Sequence, residues 1–187
     1  MLIKLNEEQF KNSSPQQSIF LLFEEISSDS SKNCVQWIMD ANFASDEKAE
    51  VLTLIINSPG GSMSAAFAII DTIRGSHIPV RTIGLGEISS AGLMVFISGV
   101  QGHRVLTENT SIMSHTWSWG HMGKSHELIA ATREYDLTSE RMMNHYKRCT
   151  GLAEKKIKKY LLPPQDVYLS AAEALELGIC DKISNLK

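Results

Sequence analysis

The first apolar run, Ile19-Phe-Leu-Leu-Phe23, follows a polar stretch from Lys11 to Gln17. The run predicts a buried strand, and the polar stretch sets apart an N-terminal arm over residues 1–18. Ser, Asp and Lys residues then lead into a helix whose apolar face would hold Cys34, Val35, Ile38 and Met39. Val51-Leu-Thr-Leu-Ile-Ile56 is apolar at nearly every position, the pattern of a strand covered on both faces. It ends in Asn57-Ser-Pro-Gly-Gly61, a dense turn signal. From Ser62 to Arg74, Ala65, Ala66, Ile69, Ile70 and Ile73 recur at helical spacing. Val80 to Leu85 predicts a second strand ending at Gly86, and Ala91 to Ser98 a buried helix rich in small apolar residues. Short strands are predicted at Arg104–Leu106 and Ser111–Ser114, then a long helix over about 123–149, broken at Thr150-Gly151. Ser170-Ala-Ala-Glu173 has the form of a capping box, Gly178 stands at the C′ position of that last helix, and Ile179–Ile183 predicts a final strand. Strands alternating with helices predict an α/β fold with a largely parallel sheet.

At 187 residues, the chain is expected to form one domain, 1–187. Its 18 Lys and Arg against 21 Asp and Glu, a formal charge of −3, remove the basic excess expected of a general nucleic-acid binder. No apolar run reaches the roughly 18 residues of a membrane-spanning helix, and the first residues lack a signal-peptide pattern, so no membrane association and a cytoplasmic location are expected. Cys34, Cys149 and Cys180 are too widely spaced for a zinc motif or disulfide framework and read as structural thiols. His121 and His126 lie five apart, poor spacing for two ligands on one helix face. No metal and no cofactor are expected.

Two strand-to-helix junctions fall where α/β sheets bind ligands. In Asn57-Ser-Pro-Gly-Gly61-Ser62 the paired glycines make either a tight turn or a loop whose backbone N–H groups point at a ligand. In Gly86-Glu-Ile-Ser-Ser90-Ala-Gly92, Ser89 and Ser90 are either helix caps or nucleophile candidates. The Gly-x-Ser-x-Gly elbow is half matched, because Gly92 fits Ser90 but Ile88 replaces the first glycine. His115, at the exit of Ser111-Ile-Met-Ser, is either a base facing the same edge or a structural histidine. Asp166, after Pro163-Pro164-Gln165, lies in a constrained extended segment and is either an orienting acid or a turn residue.

Together these segments resemble the proteolytic subunit of the Clp protease, the ClpP family. Ile56-Asn-Ser-Pro-Gly-Gly61 with Asp71-Thr72, Gly86-Glu-Ile-Ser-Ser90-Ala-Gly92, Ile112-Met-Ser-His115, and Asp166-Val-Tyr-Leu-Ser-Ala171 with Gly178 match family segments in order, from about Ile19 to Ile183. The resemblance implies a spiral of repeated ββα units with a projecting handle helix, and a serine endopeptidase without cofactor. It carries the catalytic roles onto Ser90, His115 and Asp166, and the oxyanion hole onto the backbone N–H groups of Gly61 and Ala91. It also implies a homo-oligomer of heptameric rings, stacked in pairs through the handles, that takes peptides or unfolded polypeptides from a Clp-type ATPase. Leu128, Ile129, Leu137, Met142, Met143 and Tyr146 are available on the handle for that contact or for packing at home.

The sequence departs from the family at three places. The Arg- and Tyr-bearing N-terminal segment that docks the ATPase is not evident before Ile19. Thr116-Trp-Ser-Trp-Gly120 follows His115 in place of a Gln-Pro-Leu-Gly-Gly-like run, so Trp117 and Trp119 either reshape the substrate pocket or pack the base of the handle. Val167 stands where an arginine that couples the rings is common. Two other functions remain to be weighed: a non-catalytic subunit of a mixed Clp barrel, and an acyl-CoA hydratase or isomerase of the related crotonase fold.

Overall fold

The computed structural model describes residues 18–44 and 49–184; the N-terminal arm expected over 1–18 therefore lies, Ser18 apart, outside the described residues. Five parallel strands form the body of one sheet in the order β1 (Ile19–Leu22), β2 (Leu52–Ser58), β3 (Val80–Ser89), β4 (Arg104–Thr107), β7 (Lys182–Ser184). Two short strands lie off this path. β5 (Ser111–Ser114) runs parallel to the far end of β3, and β6 (Val167–Ser170) pairs antiparallel with β5. The helices are α1 (Ser28–Phe43), α2 (Met63–Gly75), α3 (Ala91–Phe96), α4 (Ser125–Thr150), α5 (Glu154–Tyr160) and α6 (Ala171–Glu176). The result is the α/β class expected from the alternation of strands and helices.

Local chemistry sets the helix ends. Ser27 and Ser30 form a reciprocal capping box at the start of α1, Ser62 caps α2, and Ser170 with Glu173 caps α6. The apolar face predicted for α2 is buried residue for residue: Ala65, Ala66, Ile69, Ile70 and Ile73. It packs with Leu52, Leu54 and Ile56 of β2 and with Ala91, Leu93, Met94, Val95 and Phe96 of α3 in one continuous core. Burying a Leu or Ile side chain in such a core stabilises the fold by about 1.5–3 kcal/mol.

Several boundaries differ from the sequence reading, each for a physical reason. Only Leu22 of the first strand is fully buried, whereas Leu21 and Phe23 are 58% and 48% exposed. β1 is an edge strand, and its outer face has no covering layer among the described residues. In α1, Cys34 and Ile38 are buried one turn apart, but Met39 rotates off that face and is exposed. β3 does not stop at Gly86; it bulges there and runs on to Ser89. The register jumps from Ile56↔Gly84 to Ser58↔Ile88, because Gly86 takes a φ of 64° and the Glu87 N–H donates to Asn57 Oδ1 at 3.1 Å. The final strand shortens to Lys182–Ser184. α5 was not anticipated: it buries Ile157 alone, too little apolar periodicity to read in seven residues.

The long helix divides its apolar residues. Met142 and Tyr146 are buried in the core, Leu137 and Met143 are half-buried, and Leu128 and Ile129 are exposed at 41% and 72%. The C-terminal half is thus part of the domain, and only the N-terminal half presents apolar side chains outward.

Candidate active site

Ser90 stands between the end of β3 and the start of α3 with φ 50° and ψ −118°. It is the one non-glycine residue with positive φ among the described residues. Such a backbone costs on the order of 1–3 kcal/mol and persists only where its surroundings enforce it. Here the Ser90 N–H donates to the Met113 carbonyl at 2.9 Å, and Gly60 supplies the space. A Cβ at Gly60 would come within 2.8 Å of Ser90 Cβ and of the Ser89 carbonyl oxygen. Neither serine caps α3. Ser90 makes no side-chain cap, and the Ser89 hydroxyl donates to Glu87 Oε1 at 2.8 Å. The Ser90 hydroxyl lies instead 2.9 Å from His115 Nε2.

His115 and Asp166 meet because of strand register. The β5–β6 ladder pairs Ser111 with Ser170 and ends with Ser114 opposite Val167. One step further, His115 faces Asp166, and His115 Nδ1 lies 3.1 Å from Asp166 Oδ1. The neighbours of His115 are tied to the chain that leads to Asp166. Ser114 Oγ donates to the Leu161 carbonyl at 2.6 Å, and the Thr116 N–H donates to the Pro163 carbonyl at 2.8 Å. His115 thus turns Nδ1 toward the carboxylate and Nε2 toward the Ser90 hydroxyl. The His115 side chain is 24% exposed and that of Asp166 52%, so the pair borders solvent.

The loop after β2 is clamped peptide by peptide. The Gly60 N–H donates to Ser58 Oγ at 3.2 Å, the Gly60 carbonyl accepts from the Ile26 N–H at 2.7 Å, and the Ser62 N–H donates to the Ile26 carbonyl at 2.8 Å. Gly60 and Gly61 adopt φ of 97° and 138°, and a Cβ on Gly61 would fall on the Ile26 carbonyl oxygen. Among the described residues, neither the Gly61 N–H nor the Ala91 N–H meets an acceptor. A Cβ on Gly60 would lie 3.0 Å from the Ala91 nitrogen, so the two loops are in close contact beside Ser90.

Gly61, Ser90 and His115 line a cleft of about 620 Å³, together with Met63, Met113, Trp117, Glu134 and Thr138. Trp117 joins the cleft to the long helix. It lines the cleft, stacks on Tyr135 of α4 at 5.3 Å and 19°, and donates from Nε1 to Ser139 Oγ at 3.2 Å. Trp119 also packs on Tyr135, at 5.3 Å. Met63, Met113, Glu134 and Thr138 were not foreseen. Glu134 and Thr138 come from one turn of the long helix, where their spacing of four alone could have placed them together.

No cysteine competes as a nucleophile here. Burial pushes the Cys34 thiol up to about 12 and the Cys180 thiol up to about 11, and raises Cys149 as well. Among the described residues, no group of His, Cys, Asp and Glu has the arrangement of a metal site.

The strained turn at Ser90, the adjacent His115 and Asp166 and the strand-end loops thus form one site at the edge of an α/β sheet. The Clp protease family pattern matches residues 7–187, and the chain belongs to that family, whose members are serine-protease hydrolases that generally form rings. Among solved structures, a point mutant of ClpP1 from Listeria monocytogenes has the same fold, with a TM-score of 0.79. It shares 24% identity over 92% of this chain and 94% of that one.

Proposed function

We propose that this chain is a serine endopeptidase in which Ser90 is the nucleophile, His115 the general base and acid, and Asp166 the group that orients the imidazole. The observation that carries the proposal is the unbroken line from Ser90 Oγ to His115 Nε2 at 2.9 Å and from His115 Nδ1 to Asp166 Oδ1 at 3.1 Å. Attack of Ser90 Oγ on a peptide carbonyl transfers its proton to His115 Nε2 and forms a tetrahedral oxyanion. The Gly61 and Ala91 N–H groups, free of internal acceptors, donate to that oxyanion; one such donor is worth about 3 kcal/mol in the transition state. His115 then returns the proton to the leaving amine, and water releases the acyl group by the same steps in reverse.

The functional unit in this proposal is a homo-oligomeric ring that encloses the clefts and admits peptides or unfolded polypeptides. Family membership and the outward Leu128 and Ile129 of α4 support it. A fluorophosphonate probe is expected to label the wild type and to spare Ser90→Ala. Labelling of both, or of neither, removes the proposal. Native mass at micromolar concentration is expected to be a multiple of the single chain; a monomer there removes the ring. Hydrolysis of peptides without acyl-CoA turnover separates this function from that of a crotonase-type enzyme.

A further inference from the structure

Ser58 is fully buried at the end of β2, one residue outside the loop that carries Gly61, and takes no part in the proton transfers above. It touches both of the segments that hold the free N–H groups. On one side its Oγ accepts the Gly60 N–H at 3.2 Å. On the other it packs against the first turn of α3: a Cβ on Gly92 would meet Ser58 Cβ and the Ser58 carbonyl oxygen at 3.2 Å and Ser58 Oγ at 3.3 Å. Its strand pairing with Ile88 fixes it beside the β3 end from which Ser90 projects.

We infer that Ser58 is a positioning residue that sets the Gly61 and Ala91 N–H groups at the spacing an oxyanion needs. The physical reason lies in how the loop is held. The Ile26 N–H and carbonyl fix the two peptide planes that flank Gly61. The plane before them, between Pro59 and Gly60, is held through its N–H by Ser58 Oγ. Gly60, with φ 97° and no side chain, is where the loop could swivel, and it lies against Ser90 and the Ala91 nitrogen. A hydroxyl suits the position: it fits against the Gly92 backbone, where a bulkier group would push α3 away, and it accepts a hydrogen bond, which a methyl would not. Donors held in place before the reaction are worth more than donors that must reorganise.

The inference rests on the serine-peptidase proposal, so the test separates the two. Ser58→Ala and the near-isosteric Ser58→Cys are compared with wild type for peptide turnover and for inhibition by a peptide aldehyde. Ser90 Oγ adds to the aldehyde carbon to give a hemiacetal whose oxygen occupies the same donors. Removing an oxyanion donor outright costs 10²–10³ in kcat, so loosening two is expected to lower kcat about tenfold or more in Ser58→Ala, with KM within about twofold. Aldehyde affinity should fall by the same factor, and Ser58→Cys, with its weaker sulfur acceptor, should show a smaller loss of the same kind. If Ser58→Ala does not fold, Ser58→Cys carries the comparison alone. Wild-type kcat in a folded variant, or a rise in KM with aldehyde affinity unchanged, overturns the role of Ser58 and leaves the peptidase intact. A wild type that neither cleaves peptides nor reacts with a fluorophosphonate overturns both.

Discussion

Asp181 grips Arg104 with both carboxylate oxygens, Oδ2 accepting from Nε at 2.9 Å and Oδ1 from Nη2 at 2.6 Å. Asp181 Oδ2 also accepts the N–H groups of Gly102 at 2.8 Å and Arg104 at 2.9 Å, while Arg104 Nη1 donates to the Cys149 carbonyl at 2.8 Å. The pair thereby ties β4, the approach to β7 and the end of α4 together. The Arg104 side chain is only 4% exposed. Asp181→Ala would leave its guanidinium buried and uncompensated, at an expected cost of about 3 kcal/mol or more in urea unfolding. Replacing both partners, Arg104→Met with Asp181→Leu, should cost much less. Burial raises the Asp181 carboxyl, but the hydrogen bonds from Arg104 and Gly102 outweigh it and hold the group below the usual carboxylate range. The stabilisation is therefore complete above the ordinary carboxylate pKa and is lost as pH falls through the depressed value.

His145 gives a second acid window. Burial pushes its pKa down to about 4, against the opposing hydrogen bond to the Met94 carbonyl at 2.9 Å. The unfolded chain binds a proton near pH 6.5 that the folded chain refuses until about pH 4. Stability is thus whole above pH 6.5 and falls across that window by about 3 kcal/mol. His145→Gln should flatten the slope of unfolding free energy between pH 6.5 and 4. An unchanged slope would count against this account.

Gly61→Ala should abolish the proposed chemistry without unfolding the domain. Its Cβ would collide with the Ile26 carbonyl oxygen at a φ that side chains rarely adopt. The loop must shift, and a donor lost this way is expected to cost at least about 100-fold in turnover and probe labelling. Gly75→Ala is the matching control, since a Cβ there meets nothing. It should leave activity unchanged.

Trp117→Ala should change stability and substrate preference together. The side chain braces the residues after His115 against Tyr135 and Ser139 while walling the cleft. Truncating a half-buried tryptophan with a stacked partner is expected to cost about 2 kcal/mol. The enlarged cleft should favour bulkier side chains, read from KM across peptides that differ at the residue before the scissile bond. Trp117→Phe keeps the stack but loses the Nε1 donor, and should cost about 1 kcal/mol or less.

The Gly-x-Ser-x-Gly pattern illustrates what a linear reading misses. Ile88 occupies the position of its first glycine, yet Ser90 adopts the strained turn all the same. The missing space is supplied by Gly60, from a different loop, and so is invisible along the segment itself. Likewise, nothing local predicts that Leu21 and Phe23 would be exposed, because exposure depends on which strand lies at the edge.

By itself the sequence determined the alternation of strands and helices, the cap at Ser170, and the buried face of α2. Each of these is encoded by periodicity or hydrogen bonding within a few residues. It also marked Ser90, His115 and Asp166 as occupying strand ends and turns, with bland alternatives for each. Only the tertiary structure decided their relationship. His115 faces Asp166 because β6 returns antiparallel to β5 in one register; a shift of a single residue would turn one side chain to the other face. Ser90 reaches His115 because β3 continues past its bulge at Gly86 to pair with β5. Strand pairings between distant segments have no local signature, and it is these pairings that bring the three side chains to one line.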